Sequence, residues 1–375
     1  MREALAAVVD KRRGDATIRS LRAEGVYDET RRVVEHGDGA IAIPVTEPPA
    51  GTEVRSVVEQ ADPEPRVRGL ADLLAERGWT DEEIQRAPSS WAVVGSVVLA
   101  RFEDCPRPAE VGDALLELHG EADTVLDRRG IGGPHREPDV AVVAGEGDTE
   151  TVHVEHGTEY ALGLDRVMFS PGNKAERARM GEVVAGDAPP APETGRDGPE
   201  RVLDMFAGVG YFALPMARAG ARVTAVERNP TAFRYLIENA SLNGVTGRVE
   251  PYRGDCRAVA SRLPTRRFDR AVLGYYDATA PATDVDDPPA EELPGGGQAD
   301  TSGHPYLDAA IRALAPGGVA HVHAAVPEPE LWSRPEARLA TAAGEAGRAV
   351  DVLDRRRVKT HSEGVIHAVL DVRVA

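Results

Sequence analysis

Lysine is almost missing from this sequence: Lys11, Lys174 and Lys359 are the three among 44 basic residues, against 62 acidic ones and a formal net charge of −18. That balance excludes a protein that coats polyanions through diffuse positive charge, because phosphate contacts need Lys and Arg. It does not exclude nucleic acid altogether. At molar salt the Debye length is about 3 Å, and acid excess with scarce lysine is the composition of a salt-adapted, halophilic protein. Any RNA contact then has to come from local arginine clusters. Two cysteines, Cys105 and Cys256, exclude a disulfide framework and a cysteine metal cluster. No metal is expected. No apolar run approaches the roughly 18 residues of a membrane span, and Met1-Arg2-Glu3 opens no signal peptide. A soluble cytoplasmic protein is expected.

What is present is enough for folded cores. The 375 residues, 42% of them hydrophobic, allow two or three domains at about 100–200 residues each. Residues 1–62 read as a small αβ domain, with a helical pattern at Leu5, Val8, Val9, Ile18 and Leu21 and a strand at 40–44. Residues 63–160 read as a middle α+β domain. It has a helix at Leu70, Leu73 and Leu74, one strand over 91–101, a helix near 111–118, and strands near Thr124, Val140 and Val152. Residues 161–375 form the third domain. It contains a Pro/Gly-rich linker at 187–199 and an acidic insertion at 277–303 that reads as disordered. After the linker, strands are expected at 201–203, 222–226, 248–252, 268–273 and 318–323, and helices at 212–219, 230–241, 256–262 and 304–314. Two further strands follow near 351–358 and 365–373. That alternation specifies an α/β fold with a doubly wound, mostly parallel sheet.

The motifs cluster at expected strand ends. "VLDMFAGVG" ends a strand at Asp204 and enters a glycine-containing turn with Phe206, Gly208 and Gly210, which lets a ligand approach the backbone at the carboxyl edge of the sheet. Glu227 closes the next strand, where an acid can accept from two ribose hydroxyls. Asp255 and Cys256 close the third, where an acid can meet an adenine amino group. One glycine turn alone is most often simple packing. Three acids at successive strand ends are harder to dismiss, and the turn lacks the G-x-G-x-x-G spacing of a dinucleotide oxidoreductase. The pattern points to S-adenosyl-L-methionine. Upstream, "LDRVMFSPGNKAERARM" enters a Ser-Pro-Gly turn and a helix. A solvated, well-capped helix is the plain account of it. The functional one has Ser170 and Arg177 close over the amino-acid tail of the cofactor, since a guanidinium can clamp a carboxylate. His321 and His323, two apart on one strand, are read as packed or hydrogen-bonded rather than metal-bound.

"FSPGNKAER", "DMFAGVGYF", "GDCRAV", "LGYY", "HPYLDAAIRALAPGGVAHVH" and "RVKTHSEGVIHAVLDV" together resemble the archaeal wyosine-pathway family of tRNA 4-demethylwyosine 3-amino-3-carboxypropyltransferases. The sister family is the tRNA guanosine-37 N1-methyltransferase. The resemblance spans nearly the whole chain and is loosest in the first 60 residues. It implies a class I, Rossmann-like S-adenosylmethionine fold. It places Ser170, Arg177, Asp204, Phe206, Gly208, Gly210, Glu227, Asp255, Cys256, Gly274 and Tyr275 at the cofactor. It also implies Glu176 as a general base with Arg136 beside it. Gly172-Asn173 and Gly274-Tyr275 match the aminocarboxypropyl branch, where the methyltransferases carry Arg-Leu-type and Asn-Leu-Pro sequences. Ala324 departs from the acid common in the family, which weakens any catalytic role for its strand.

The function expected is transfer of the 3-amino-3-carboxypropyl group to C7 of 4-demethylwyosine at position 37 of phenylalanine tRNA. Methylation of guanosine 37 is the enzymatic alternative, marked by S-adenosylhomocysteine as product. A tRNA-binding protein with a vestigial cofactor fold is the non-enzymatic one, marked by failure to bind S-adenosylmethionine. Arg128-Arg129, Lys174-Arg177-Arg179 and Arg355-Arg356-Arg357-Lys359 are the candidate RNA contacts. The N-terminal domain is expected to recognise tRNA away from the anticodon.

Overall fold

The computed structural model describes residues 4–282 and 303–375, apart from 38, 61, 62, 65, 67 and 134. The chain divides into two compact units, Met1–Ile84 and Gln85–Ala375.

The first unit holds β1 (Leu5–Asp10), α1 (Gly14–Glu24), β2 (Val34–Glu35), β3 (Ala40–Pro44), β4 (Ser56–Glu59) and α2 (Leu70–Glu76), followed by the short α3 (Asp81–Gln85) at the boundary. Its sheet runs β2-β3-β1-β4. The Leu5–Val9 stretch, expected as helix, is the strand β1. Ala7 and Val9 face one core with Leu21 and Ile43, while Ala6 and Val8 face another with Ala40 and Ala42. A strand covered on both faces loses its period-two signature, so spacing could not separate it from a helix.

The second unit opens with a four-stranded sheet of β5 (Trp91–Val94), β6 (Val97–Ala100), β7 (Thr124–Gly132) and β8 (Glu137–Gly145), with α4 (Pro108–Leu118) after β6. The single strand expected over 91–101 is a hairpin, because Gly95 at φ +57° turns the chain. β9 (Glu150–Glu155) and β10 (Thr158–Gly163) form a second hairpin, and α5 (Lys174–Ala185) follows.

Then come β11 (Arg201–Asp204), α6 (Ala213–Arg218), β12 (Arg222–Glu227), α7 (Pro230–Leu242), β13 (Val249–Arg253), α8 (Cys256–Arg262), β14 (Phe268–Leu273), α9 (Pro305–Ala313), β15 (Leu314–Pro327), α10 (Ser333–Glu345), β16 (Val350–Ser362) and β17 (Val365–Val374). The sheet order is β13-β12-β11-β14-β15-β17-β16. The first five strands in this order pair in parallel, and β17 pairs antiparallel with both β15 and β16. This is the doubly wound sheet the sequence specifies. Its strand order reverses between β11 and β14, the place where such sheets bind ligands.

No break appears at residue 160. One apolar core joins Val97, Leu99 and Leu126 to Leu162, Val202, Phe212 and Leu236, so the middle segment and the large sheet share a core. Asn239, fully enclosed, fixes the joint: its amide donates to the carbonyls of Ala161 (3.0 Å) and Val209 (2.9 Å) and accepts from Ala161 N–H (2.7 Å). The segment expected as disordered is placed at its start. Ala278, Thr279 and Ala280 are buried, while 283–302 lie outside the described residues.

Candidate active site

A cavity of about 740 Å³ opens at the carboxyl ends of β11, β12 and β14, within the roughly 300–1,000 Å³ typical of small-molecule sites. The chain reaches it from three directions. The strand ends supply Met205, Phe206, Glu227, Asp255, Gly274, Tyr275 and Tyr276; the β7–β8 hairpin tip supplies Gly133, His135 and Arg136; the turn before α5 supplies Ser170 and Asn173, and the start of α5 supplies Arg177. Asn229 couples the first two. It caps α7 through Thr231 and Ala232 and donates its amide to the His135 carbonyl at 3.1 Å.

The glycine turn is shaped by its neighbours. Gly208 has φ +56° and donates its N–H to Glu227 Oε2 at 2.7 Å; a Cβ there would lie 2.4 Å from the Tyr211 ring. Glu227 Oε1 accepts from Asn229 N–H at 2.6 Å. Burial raises the Glu227 carboxyl above its ordinary range, and these backbone donors oppose the rise. A Cβ at Gly274 would lie 2.8 Å from Phe212, so glycine is needed for the close approach of that ring. Phe206, Tyr275 and Tyr306 form an aromatic box: Phe206 and Tyr275 stack at 5.1 Å, and Tyr306 stands edge-on to both.

Asp204 and Gly210 lie beneath the cavity rather than on its wall. Asp204 is fully enclosed, its Oδ2 has no partner, and burial pushes its carboxyl up to about 7. Gly210 packs on Leu214, which a Cβ would meet at 2.6 Å. Asp255 caps α8, and its carboxylate is gripped by Arg257 through Oδ1 (2.9 Å) and Oδ2 (2.5 Å). Burial raises this carboxyl, but the Arg257 guanidinium outweighs it and the net shift is downward. Asp255 is thus a fixed acceptor with part of its capacity already taken.

The helix α5 departs further from expectation. The Arg177 guanidinium donates to Glu155 through Nε (2.6 Å) and Nη2 (2.8 Å), and to the Ser170 carbonyl through Nη1 (2.9 Å). It lies over the Phe169 ring at 4.7 Å. Each of its three nitrogens donates within the protein, so it holds the turn in place. The structure does not bring Glu176 to the cavity wall. Its carboxylate is buried against Arg356 at 3.0 and 3.2 Å. Arg356 continues to Asp371, which also accepts from Arg179 at 2.9 Å and His321 Nδ1 at 2.7 Å. Arg270 donates to His321 Nε2 at 2.6 Å. Arg270 can only donate, which fixes the histidine as the neutral Nδ1–H tautomer; burial, the main influence, depresses its pKa. His323 bonds His367 at 2.9 Å.

Arg136, at φ +52°, places its guanidinium 5.5 Å over the Tyr275 ring. Of the expected RNA contacts, Arg129, Arg355 and Arg357 pair with Asp127, Glu336 and Glu328. Sequence reading missed Tyr211, Phe212, Asn173, Tyr276, Asp277 and Tyr306 on the walls, and Glu155, Arg257 and Arg356 as partners.

These residues fit S-adenosylmethionine: aromatic rings at Phe206, Tyr275 and Tyr306, an acceptor at Asp255, an acid at Glu227, and polar groups at Ser170 and Asn173. Among the described residues no group of three or more His, Cys, Asp or Glu could hold a metal ion, and no helix is long and apolar enough to cross a membrane.

Comparison with known proteins agrees with this geometry. Residues 151–284 match a profile described as the TRM5/TYW2 methyltransferase domain, and residues 70–149 match the TYW2 N-terminal domain. The tRNA(Phe) (4-demethylwyosine(37)-C(7)) aminocarboxypropyltransferase of Pyrococcus horikoshii is 32% identical over 83% of this chain and 96% of its own length. The crystal structure of P. horikoshii TYW2 in complex with MeSAdo superposes with a TM-score of 0.61 at 30% identity, covering 81% of this chain and 97% of that one. The crystal structure of Trm5b from Pyrococcus abyssi gives a TM-score of 0.66 at 27% identity over 99% of both chains.

Proposed function

From the membership of this chain in the family of tRNA 4-demethylwyosine aminocarboxypropyltransferases, we infer that it transfers the 3-amino-3-carboxypropyl group of S-adenosylmethionine to C7 of 4-demethylwyosine at position 37 of phenylalanine tRNA, with 5′-methylthioadenosine released. The observation that carries this reading is the cavity itself, lined by Phe206, Tyr275, Tyr306, Glu227 and Asp255 together with Ser170 and Asn173 of the polar turn. S-adenosylmethionine supplies a sulfonium centre with three electrophilic carbons. Which carbon meets a nucleophile is a matter of positioning, worth several kcal/mol in a barrier. The chain fixes that choice by holding the adenosine end in the aromatic slot and the tail end at Ser170 and Asn173. Arg136, on the hairpin tip, is placed to bind or orient the entering base. The test is the small-molecule product with tRNA bearing the tricyclic base: methylthioadenosine supports the reading, and S-adenosylhomocysteine overturns it.

Glu176 acts here as a positioning residue. Its tie to Arg356 fixes the start of α5 and therefore the Ser170–Asn173 turn. Glu176→Gln is expected to keep kcat within roughly fivefold of wild type at saturating substrates, whereas losing a general base costs about 10²–10⁴-fold. Single-turnover kinetics separate the two. The first unit has a counterpart in Trm5b, which is matched over 99% of both chains. Its proposed role is contact with tRNA away from the anticodon.

A further inference from the structure

Transfer to C7 replaces a proton by carbon, and a base has to take that proton away. Glu176 is buried against Arg356 and does not line the cavity. Among the described residues three carboxylates do: Glu227, Asp255 and Asp277. Two of them are committed. Glu227 accepts from the Gly208 and Asn229 N–H groups, and Asp255 is gripped by Arg257. Asp277 is exposed, and among the described residues no hydrogen bond or ion pair engages its carboxylate.

The chain carries Asp277 on a fixed turn. Ala278 N–H donates to the Tyr275 carbonyl at 3.1 Å, and Ala280 N–H to the Asp277 carbonyl at 2.9 Å. Ala325 N–H, from β15, donates to the Tyr276 carbonyl at 2.9 Å. Ala278, Thr279 and Ala280 are buried, so packing anchors the residues that follow. Tyr276 stands edge-on to His361 at 4.5 Å. Asp277 and Arg136 both act on that histidine: burial, the main influence, depresses its pKa, Lys359 and Arg136 add to the fall, and Asp277 opposes it. The free carboxylate and the guanidinium that orients the entering base thus stand around one imidazole. His135, the histidine on the wall, is tied elsewhere. Its carbonyl accepts from Asn229, whose own N–H serves Glu227.

We propose that Asp277 accepts the C7 proton of the target base during transfer. This rests on the functional reading above. An electron pair from C7 bonds to the tail carbon attached to sulfur. The carbon–sulfur bond breaks with its pair passing to sulfur, and neutral 5′-methylthioadenosine leaves. The cationic adduct gives its C7 proton to the Asp277 carboxylate, and the pair of the C–H bond restores the aromatic ring. The exposed acid then returns the proton to solvent.

Single-turnover transfer at high salt to tRNA bearing the tricyclic base tests it. Asp277→Asn is expected to slow transfer about 10²–10⁴-fold, the share of a general base, while calorimetry finds S-adenosylmethionine bound within about twofold of wild type. Deuterium at C7 should slow the variant more than the wild type, because proton removal then limits the rate. Asp277→Ala should regain part of the lost rate in added formate, and it carries the test if Asp277→Asn does not fold. A rate within about fivefold of wild type, or a slow variant with neither isotope effect nor formate rescue, overturns the proposal. So does a loss confined to S-adenosylmethionine affinity, or an isotope effect that grows in His135→Gln and not in Asp277→Asn. Failure of the wild-type protein to release methylthioadenosine would overturn the functional reading, and this proposal with it.

Discussion

Arg177→Met is expected to lower the free energy of unfolding by about 3–5 kcal/mol, the cost of leaving a buried partner charge uncompensated. Arg177 and Glu155 are 2% and 3% exposed and meet at 2.6 Å. Burial alone would raise the Glu155 carboxyl, but the hydrogen bonds from His153 and Arg177 hold it at about 2, against an ordinary 4.5. A carboxylate with a depressed folded-state pKa contributes stability that is complete above the unfolded value and is lost as pH falls from 4.5 towards 2. With the guanidinium gone, burial acts with less opposition and the folded-state pKa rises. The variant is therefore expected to have its stability maximum at lower pH than wild type. Denaturant titration at several pH values, in high salt, measures both effects. Arg177→Met combined with Glu155→Gln should recover much of the loss, because the orphaned charge is then removed as well. A single-variant loss under 1 kcal/mol, or no recovery in the pair, contradicts the assignment.

The second large effect is expected at Asp371→Asn, again about 3–5 kcal/mol. This carboxylate is fully enclosed on β17 and accepts from Arg356, Arg179 and His321. Burial opposes its ionisation, but these donors prevail and hold its pKa far below the usual carboxylate range. Its contribution is present above the unfolded value and lost on acidification. The consequence reaches the cavity, because Arg356 bridges Asp371 to Glu176 on α5. Asp371→Asn should raise KM for S-adenosylmethionine as the Ser170–Asn173 turn loosens, with stability falling in parallel. A stability loss with wild-type KM would show that the network braces the sheet without setting the turn.

How much was legible follows from the range of each interaction. The strand–helix alternation after residue 200 was readable because each element carries its own signal: Asp204, Glu227 and Asp255 sit where a strand ends or a helix begins, and Asn229-Pro230 marks the start of α7. β1 was misread because both of its faces are covered. The acids at the cavity were legible by position, but their occupancy was not. That Asp255 is held by Arg257, two residues on, and that Asp204 lies beneath the wall are matters of side-chain packing. The ion pairs of Glu176 and Arg177 were not legible for a related reason. Their partners Arg356 and Glu155 are 180 and 22 residues away, and no spacing rule links an α5 glutamate to an arginine on β16.

The most direct test of the central claim uses S-adenosylmethionine labelled either in the methyl group or in the carboxyl carbon. Each is incubated at high salt with phenylalanine tRNA bearing 4-demethylwyosine, and the recovered tRNA is counted. Carboxyl label in the RNA, with methyl label leaving as methylthioadenosine, is the predicted result. Methyl label in the RNA and carboxyl label in S-adenosylhomocysteine would contradict it and make the protein a methyltransferase.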